Sequence, residues 1–391
     1  MVEKRLLTAI LNRLKHGGLQ VEFWDGEIIS FGPVKPYCTI VIKHPRVVRA
    51  IIKNPSLGFG EAYINGQVEV RGDIIGIPRL ADENQAVFAK VAKYVPSVRP
   101  QANKRSKQRQ QIAHHYDLGN DFYKLWLDES MLYSCAYFKT PTDTLELAQK
   151  QKVEHILRKL QLKPGLRLLD IGSGWGQLLI AAAQQYDISG IGVTLSEEQF
   201  KLSNQRIAAL GLQDRIEVKL MNYQDLAEQK IKFDRIASVG MYEHVGIGNH
   251  HNYFEAVRKM LSHDGLSVLH TITNRYEAPN DPWIDKYIFP GGYLPTVAKT
   301  ASLIEQFDFE LQDYENLRYH YALTLEEWRR RYEAHKEEII SMYDERFYRM
   351  WELYLAGSVN GFRHGNLTLS QFVMTAGPNP NGPLTRDHLY R

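Results

Sequence analysis

The chain has only two cysteines, Cys38 and Cys135, in 391 residues. Two thiols cannot build a disulfide framework or a cysteine-rich metal site, and they fit a reducing compartment. No run of 18 apolar residues occurs, so no segment reads as a membrane-spanning helix. The first residues, MVEKRLLTAILNRLKHGG, lack an uninterrupted apolar stretch and a small-residue cleavage site, so they do not read as a secretory signal. Nor is there a large excess of one charge. Lys and Arg number 48 against 45 Asp and Glu, a net charge of +3, which argues against a surface built to wrap nucleic acid. These absences point to a cytoplasmic enzyme. The chain does have an apolar share of 44%, ample for a core, and enough length for two domains or one enlarged domain.

Residues 3–16 read as an amphipathic helix. Leu6, Leu7, Ile10, Leu11 and Leu14 recur at helical spacing among Lys4, Arg5, Arg13 and Lys15, and Gly17 and Gly18 end the run. Short strand-like runs (VEFWDG, CTIVIK, QVEVRG) and the helical run ENQAVFAKVAKYV complete a small α+β module over residues 1–95. Residues 96–112 read as a linker carrying Arg99, Lys104, Arg105, Lys107 and Arg109. A solvated connector and a contact with anionic lipid headgroups are both open for it.

From 113 to 391 strands and helices alternate. The expected strands are LRLLDIG, SGIGVTL, RIEVKLM, FDRIASVGM, LSVLHTIT, FELQDYENL and LTLSQFVMTA. The helices between them are QLLIAAAQQY, EEQFKLSNQRIAALG, HNYFEAVRKML and TVAKTASLIEQF. Such alternation makes a mostly parallel sheet with helices on both faces, an α/β Rossmann-like fold. The run from Thr324 to Arg363 reads as two helices ahead of a final antiparallel strand. Residues 275–300, with Pro279, Pro282, Pro290 and Pro295, read as an irregular insertion where such folds build substrate pockets.

The most informative stretch is RLLDIGSGWG, residues 167–176. A buried strand runs into a loop with Gly172, Gly174 and Gly176, then into a helix. That layout holds a nucleotide-like ligand at the carboxyl end of a parallel sheet, where small glycines let the backbone approach closely. A dinucleotide fingerprint would want glycine at Gln177 and an acid about 20 residues on. The chain has Thr194 there, so the loop suits S-adenosylmethionine (SAM) better than NAD. Asp170 ends the first strand, where a carboxylate either accepts from the cofactor's amino group or orders the loop. Thr194 and Gln199 stand where ribose hydroxyls are reached, and Asn222 and Tyr223 where adenine lies. Ser196 reads as a helix N-cap. Glu243 and His244 follow the fourth strand, and His270 and Ile272 end the fifth. Upstream lie Tyr133, Ser134 and Cys135. A carboxylate among Val, Met and Tyr is costly to bury unless paired or functional.

Taken in order, HHYDLGNDFY, MLYSCAYF, LLDIGSGWG, VTLSEEQ, SVGMYEHVG and YIFPGGYLPT resemble the cyclopropane-fatty-acyl-phospholipid synthases and the related mycolic acid cyclopropane synthases. The match is dense over 113–391 and weaker in the front module, through NPSLGFGEAYINGQVEVRGD. The resemblance implies a SAM-dependent methyltransferase that adds a methylene across a cis double bond of a lipid acyl chain. The front module tilts the substrate towards membrane phospholipid, drawn in by an enzyme peripheral to the inner face of the membrane. Tyr133, Ser134, the glycine loop, Thr194, Gln199, Asn222 and Tyr223 match cofactor-contacting residues. Cys135, Glu243, His270, Ile272 through its backbone, and Tyr321 match a cluster that holds bicarbonate; Tyr321 is placed by its spacing to Trp328. Bound bicarbonate is then the base that removes a proton from the new methyl. Ser173 stands where many relatives have Cys. No metal and no nucleic-acid partner is implied.

Other readings are weighed on the same residues. A SAM enzyme for RNA would want an amide-and-proline loop or a second cysteine near Cys135, and neither is present. A lipid carrier without catalysis would not need Glu243, His270 and Cys135 together. Methyl branching of an unsaturated chain, in which no ring forms, stays open. So do the acyl chain, the headgroup and the oligomeric state, a homodimer included.

Overall fold

A computed structural model describes residues 2–92, 118–379 and 382–390. The linker over 96–112 lies outside the described residues. Packing divides the chain into two compact units, and they do not follow chain order. The described parts of 1–99 cluster with 280–290 and 325–366, and those of 100–279 with 291–324 and 367–391.

In the first unit, strands β1 (Leu19–Glu22), β2 (Ile28–Phe31), β3 (Cys38–Ile42) and β4 (Val68–Gly72) form a sheet in the order β2-β1-β3-β4. The first helix is shorter than its pattern suggests, Val2–Leu11. It buries Leu7 and Leu11, and Leu14 is buried just beyond it, while Leu6 of the same stripe is exposed. Helix Pro55–Ile64 starts with Asn54 accepting from the Leu57 amide at 3.1 Å and with proline in its first turn. At Gly58 an added Cβ would lie 2.3 Å from the Ala50 carbonyl oxygen, so helices Arg46–Lys53 and Pro55–Ile64 can touch backbone to backbone. The proline-rich stretch is not wholly irregular: Pro282–Tyr287 is a helix whose Trp283 sits on Gly60. The late helical run holds three helices, not two: Arg318–Ala334, Lys336–Met342 and Glu345–Arg363.

The second unit is built on seven strands: β5 (Arg167–Ile171), β6 (Ser189–Thr194), β7 (Ile216–Leu220), β8 (Phe233–Val239), β9 (Leu261–Asn274), β10 (Glu310–Asn316) and β11 (Leu367–Thr375). Their order is β10-β11-β9-β8-β5-β6-β7. Strands β5 to β9 pair in parallel, and β11 runs antiparallel to both β9 and β10. The chain winds outward from β5 to β7 and then crosses back to β8 on the other side of β5. The reversal opens a crevice at the carboxyl ends of these strands, the usual ligand position of such a sheet.

Two apolar layers cover the sheet. One joins helices Leu145–Lys159 and Gln177–Tyr186 to it through Ile156, Leu157, Leu179 and Ala182. The other joins helices His250–Met260 and Val297–Gln306 through Phe254, Val257, Leu303 and Ile304. Period-two alternation along β5 decides which face each residue serves. Leu169 and Ile171 enter the second layer and Leu168 the first, so Asp170 shares the face of Leu168, against helix Leu145–Lys159.

Gly172 joins β5 to the loop at φ +80°, and an added Cβ would lie 2.7 Å from the Met241 Cβ after β8. Gly174 has φ +54° but nothing within 4 Å of that position. Gly172→Ala is therefore expected to lose about 1–3 kcal/mol of stability, from backbone strain plus the clash, and Gly174→Ala less. Denaturant titration of both variants checks this, and a Gly172→Ala protein as stable as wild type would contradict the account.

Candidate active site

A cavity opens in the crevice at the ends of β5, β6, β7 and β8. Nine of the ten positions read as cofactor contacts line it: Tyr133, Ser134, Asp170, Gly172, Gly174, Thr194, Gln199, Asn222 and Tyr223. Gly176 does not. It caps helix Gln177–Tyr186 at φ +83°, with Ser203 Cβ 3.2 Å from where its own Cβ would be. The loop is tied down by the Gly172 and Ser173 amides, which both donate to the Val193 carbonyl at 3.0 Å. Thr194 donates its hydroxyl to Gln199 Oε1 at 2.8 Å, and the Ser196 hydroxyl caps the next helix by accepting from the Gln199 amide. Tyr133 and Trp175 form an aromatic wall with Tyr123, with ring centroids 5.6 and 5.3 Å away. The open backbone cradle at Gly174, the polar wall and the aromatic faces fit SAM.

Two ionisable groups face this cavity from inside the core. Burial pushes the Asp170 carboxyl up to about 7, with the charge of Lys152 pulling the other way. Burial pushes the Lys152 amine down to about 8, opposed by the nearby carboxylates of Asp128 and Asp170. The amine donates to the Ser134 hydroxyl at 2.7 Å. His244 also lines the cavity, and burial lowers its imidazole to about 4, so it stays neutral.

The residues matched to a bicarbonate cluster lie outside this lining. Glu243 sits on the single turn Tyr242–His244 that follows β8. Its Oε1 accepts from the Ile272 amide at 2.6 Å, and its Oε2 is buried with no partner. The Ile272 backbone N–H is thus engaged by Glu243. Burial pushes Glu243 up to about 7 against the bonds from Ile272 and Thr271. His270 lies opposite Gln371 in the β9–β11 ladder, and the Gln371 amide donates to Nδ1 at 2.9 Å. The proton is then on Nε2, which is buried and unpartnered. Burial drives its pKa well below the usual histidine range. The Gly240 amide, on the cavity wall, donates to the His270 carbonyl at 2.9 Å and ties the cluster to the cavity.

Cys135 donates to the Ala136 carbonyl at 3.1 Å, and its thiol pKa is pushed far up by burial, so it is a hydrogen-bonding thiol and not a thiolate. Tyr321 is buried on helix Arg318–Ala334, one turn before Thr324. The Thr324 hydroxyl accepts from the Ala136 amide at 3.0 Å, which brings the two segments together. A buried acceptor on Glu243 and a buried donor on His270, both unmatched, suit a small ion with a hydroxyl and two further oxygens. Bicarbonate has that set. Glu243 would take its hydroxyl, His270 Nε2 would donate to an oxygen, and the ion would supply a base.

The sequence reading missed Lys152 and Gln371. Lys152 sits on helix Leu145–Lys159, which the strand-and-helix pattern passed over. The signal was there: Leu145, Ala148, Lys152 and Ile156 make one helical row, and all four are buried.

Because Glu243 titrates higher folded than unfolded, its contribution favours the folded state at low pH and is lost as pH rises from about 4.5 through about 7. Glu243→Gln removes that titration. Its stability relative to wild type should improve between pH 5 and pH 8 by on the order of 1–3 kcal/mol. Denaturant melts at the two pH values measure this, and a difference that does not change with pH would refute the buried, proton-holding carboxyl.

Residues 103–372 match the family model described as mycolic acid cyclopropane synthetase, and residues 6–93 match a domain of unknown function. A probable fatty acid methyltransferase of Pseudomonas putida is 37% identical over 387 residues, covering 96% of this chain and 97% of the relative. The cyclopropane-fatty-acyl-phospholipid synthase of Escherichia coli K12 is 42% identical over 345 residues, 86% of this chain and 88% of the relative. Among solved structures, mycolic acid cyclopropane synthase CmaA1 complexed with SAH and CTAB superposes with a TM-score of 0.64 at 33% identity, covering 68% of this chain and 98% of that one. A cavity of this shape at the switch point, with these relatives, makes the chain a SAM-dependent methyltransferase of the cyclopropane synthase family.

Proposed function

We propose that the enzyme transfers a methylene from SAM to a cis double bond of an unsaturated phospholipid acyl chain, closing a cyclopropane ring, with bicarbonate as the base. The observation that carries this reading is the pair of buried, unmatched polar atoms, Glu243 Oε2 and His270 Nε2, joined to the cavity wall through Gly240. The alkene's electron pair forms a bond to the sulfonium methyl as the carbon–sulfur bond breaks, which leaves SAH and a cation on the chain. Loss of a proton from the new methyl supplies the electron pair that closes the ring. Aromatic faces such as Tyr133 and Trp175 can ease the cation without bonding to it. Glu243 and His270 hold the base, and Tyr321 and Cys135 complete its surroundings.

The E. coli relative's name supports phospholipid as the substrate class. No helix among the described residues is long and apolar enough to cross a membrane; in this reading the acyl chain reaches the enzyme by peripheral contact with the cytoplasmic face. Helix Val2–Leu11 buries Leu7 and Leu11 but leaves Val2 and Leu6 exposed, and these two are the apolar residues it could offer to a membrane surface. Methyl branching is kept as a second product because the P. putida relative is named a fatty acid methyltransferase.

Lipids extracted from cells expressing the protein should show cyclopropane ring protons by NMR. A branched or exocyclic methylene product instead would select the second reading. In vitro, Glu243→Gln should reduce turnover on the order of 10²–10⁴-fold while SAH affinity stays close to wild type. Cys135→Ser should keep measurable activity. Near-normal turnover of Glu243→Gln would remove Glu243 from the chemistry, and a folded but dead Cys135→Ser would argue for a nucleophilic thiol.

A further inference from the structure

The segment that begins with Cys135 is held by its amides in alternation. The Ala136 amide donates to the Thr324 hydroxyl and the Phe138 amide to His320 Nδ1, both at 3.0 Å and both on helix Arg318–Ala334. The Tyr137 amide between them donates to the Ala148 carbonyl of helix Leu145–Lys159, also at 3.0 Å. The segment thus bridges two helices, and the Tyr137 ring lies between a histidine from each. Its centroid is 4.6 Å from the His320 ring at 10° and 4.3 Å from the His155 ring at 23°. His320 directly precedes Tyr321, so the stack joins the segment of Cys135 to the residue before Tyr321.

The His155 ring is fixed in turn by an acid. Its Nε2 meets Glu315 Oε2 at 2.6 Å, and Lys159 Nζ meets the same oxygen at 2.5 Å. Burial alone would raise the Glu315 carboxyl, but the His155 bond and the Lys159 charge outweigh it and bring it to about 2. A carboxylate only accepts, so His155 donates from Nε2. In the sheet, Glu315 of β10 lies opposite Gln371 of β11, which lies opposite His270 of β9. Directly opposed residues share a face, so one row carries Glu315, Gln371 and His270. The His155–Glu315 pair therefore borders three members of the base cluster: His270 through Gln371, Cys135 through Tyr137, and Tyr321 through His320. Apolar side chains of the same volume often serve stability as well as a buried ion cluster does, so what this one supplies is geometry.

We propose that His155 is a positioning residue of the base cluster: held by Glu315, its ring clamps Tyr137 against His320 and so sets the spacing of Cys135 and Tyr321. Burial lowers the His320 imidazole, which keeps its Nδ1 lone pair available to the Phe138 amide and preserves the other half of the clamp.

This inference rests on the reading that Glu243, His270, Tyr321 and Cys135 hold a bound base, whichever lipid product forms. The test is steady-state turnover of full-length wild type, His155→Phe and His155→Gln, with SAM and bicarbonate each varied. Phenylalanine keeps a flat ring for Tyr137 and loses the Glu315 bond, whereas glutamine keeps a donor for Glu315 and loses the ring. His155→Gln should lose roughly 10-fold in kcat and need roughly 10-fold more bicarbonate for half its maximal rate, while its KM for SAM stays within about twofold of wild type. His155→Phe should recover kcat to within about threefold of wild type, because the stack is restored. A merely structural role would leave fewer active molecules, lowering kcat with both half-saturation concentrations unchanged. That result, equal turnover of the two variants, or wild-type turnover of His155→Gln overturns the proposal. His155→Leu, also without a flat ring, replaces the glutamine variant if that one does not fold. A wild type whose turnover ignores bicarbonate would instead count against bicarbonate as the base, and the kcat contrast between the two variants would then decide the clamp alone.

Discussion

Desolvation of charge is the constraint on which the site depends. Asp170, Glu243 and Lys152 are each placed where the neutral form is favoured, and each is moved towards neutral pH by burial before anything else. A buried ion without a partner is among the most expensive features a fold can keep. With Asp170 and Lys152 on the cavity wall and Glu243 beyond its lining, the apolar layers on both sheet faces must supply the stability that these groups take away. Leu168 and Leu169 of β5, the two residues before Asp170, are both fully buried, one in each layer.

The sheet turns that tension into a site through its connectivity. Crossing from β7 back to β8 brings four strand ends together, and each contributes a short polar segment after an apolar run. Glu243 is held by an amide of β9, and the His270 carbonyl receives an amide from the end of β8. The antiparallel β11 adds what parallel strands alone would not, a residue directly across from His270. Gln371 fixes which nitrogen of that ring carries the proton. Strand β11, which lies between β9 and β10, therefore also sets the hydrogen bonding of the His270 ring.

Much of this was legible in the sequence. All seven strands of the large sheet, its main helices and its glycine loop follow from period-two runs, helical spacing and glycine positions. The cofactor wall was legible because its residues sit at strand ends, where order along the chain predicts nearness in space. The rest was hidden for physical reasons. Leu145–Lys159 carries Lys152 and Lys159 inside, so its charged residues mask its buried face. Gln371 meets His270 only through antiparallel pairing over about a hundred residues. The apolar stripe of the first helix was visible, but what it packs against was not. The grouping of 280–290 and 325–366 with the front module depends on packing that no local pattern encodes.

Burial does more than shift these groups; it also sets how the cluster would treat a cation. A carbocation reacts with any exposed lone pair, and a thiolate or an imidazole nitrogen nearby would trap it. Here the Cys135 thiol keeps its proton, His270 is neutral with its Nδ1 lone pair covered by Gln371, and Glu243 has one oxygen tied to the Ile272 amide. Of these three groups each is protonated, covered or bonded, and Glu243 Oε2 is the oxygen left without a partner. An alkylating enzyme that passes through a cation needs a base that is weak towards carbon and near enough to take a proton. Side chains quieted in this way meet the first requirement where a free thiolate would not.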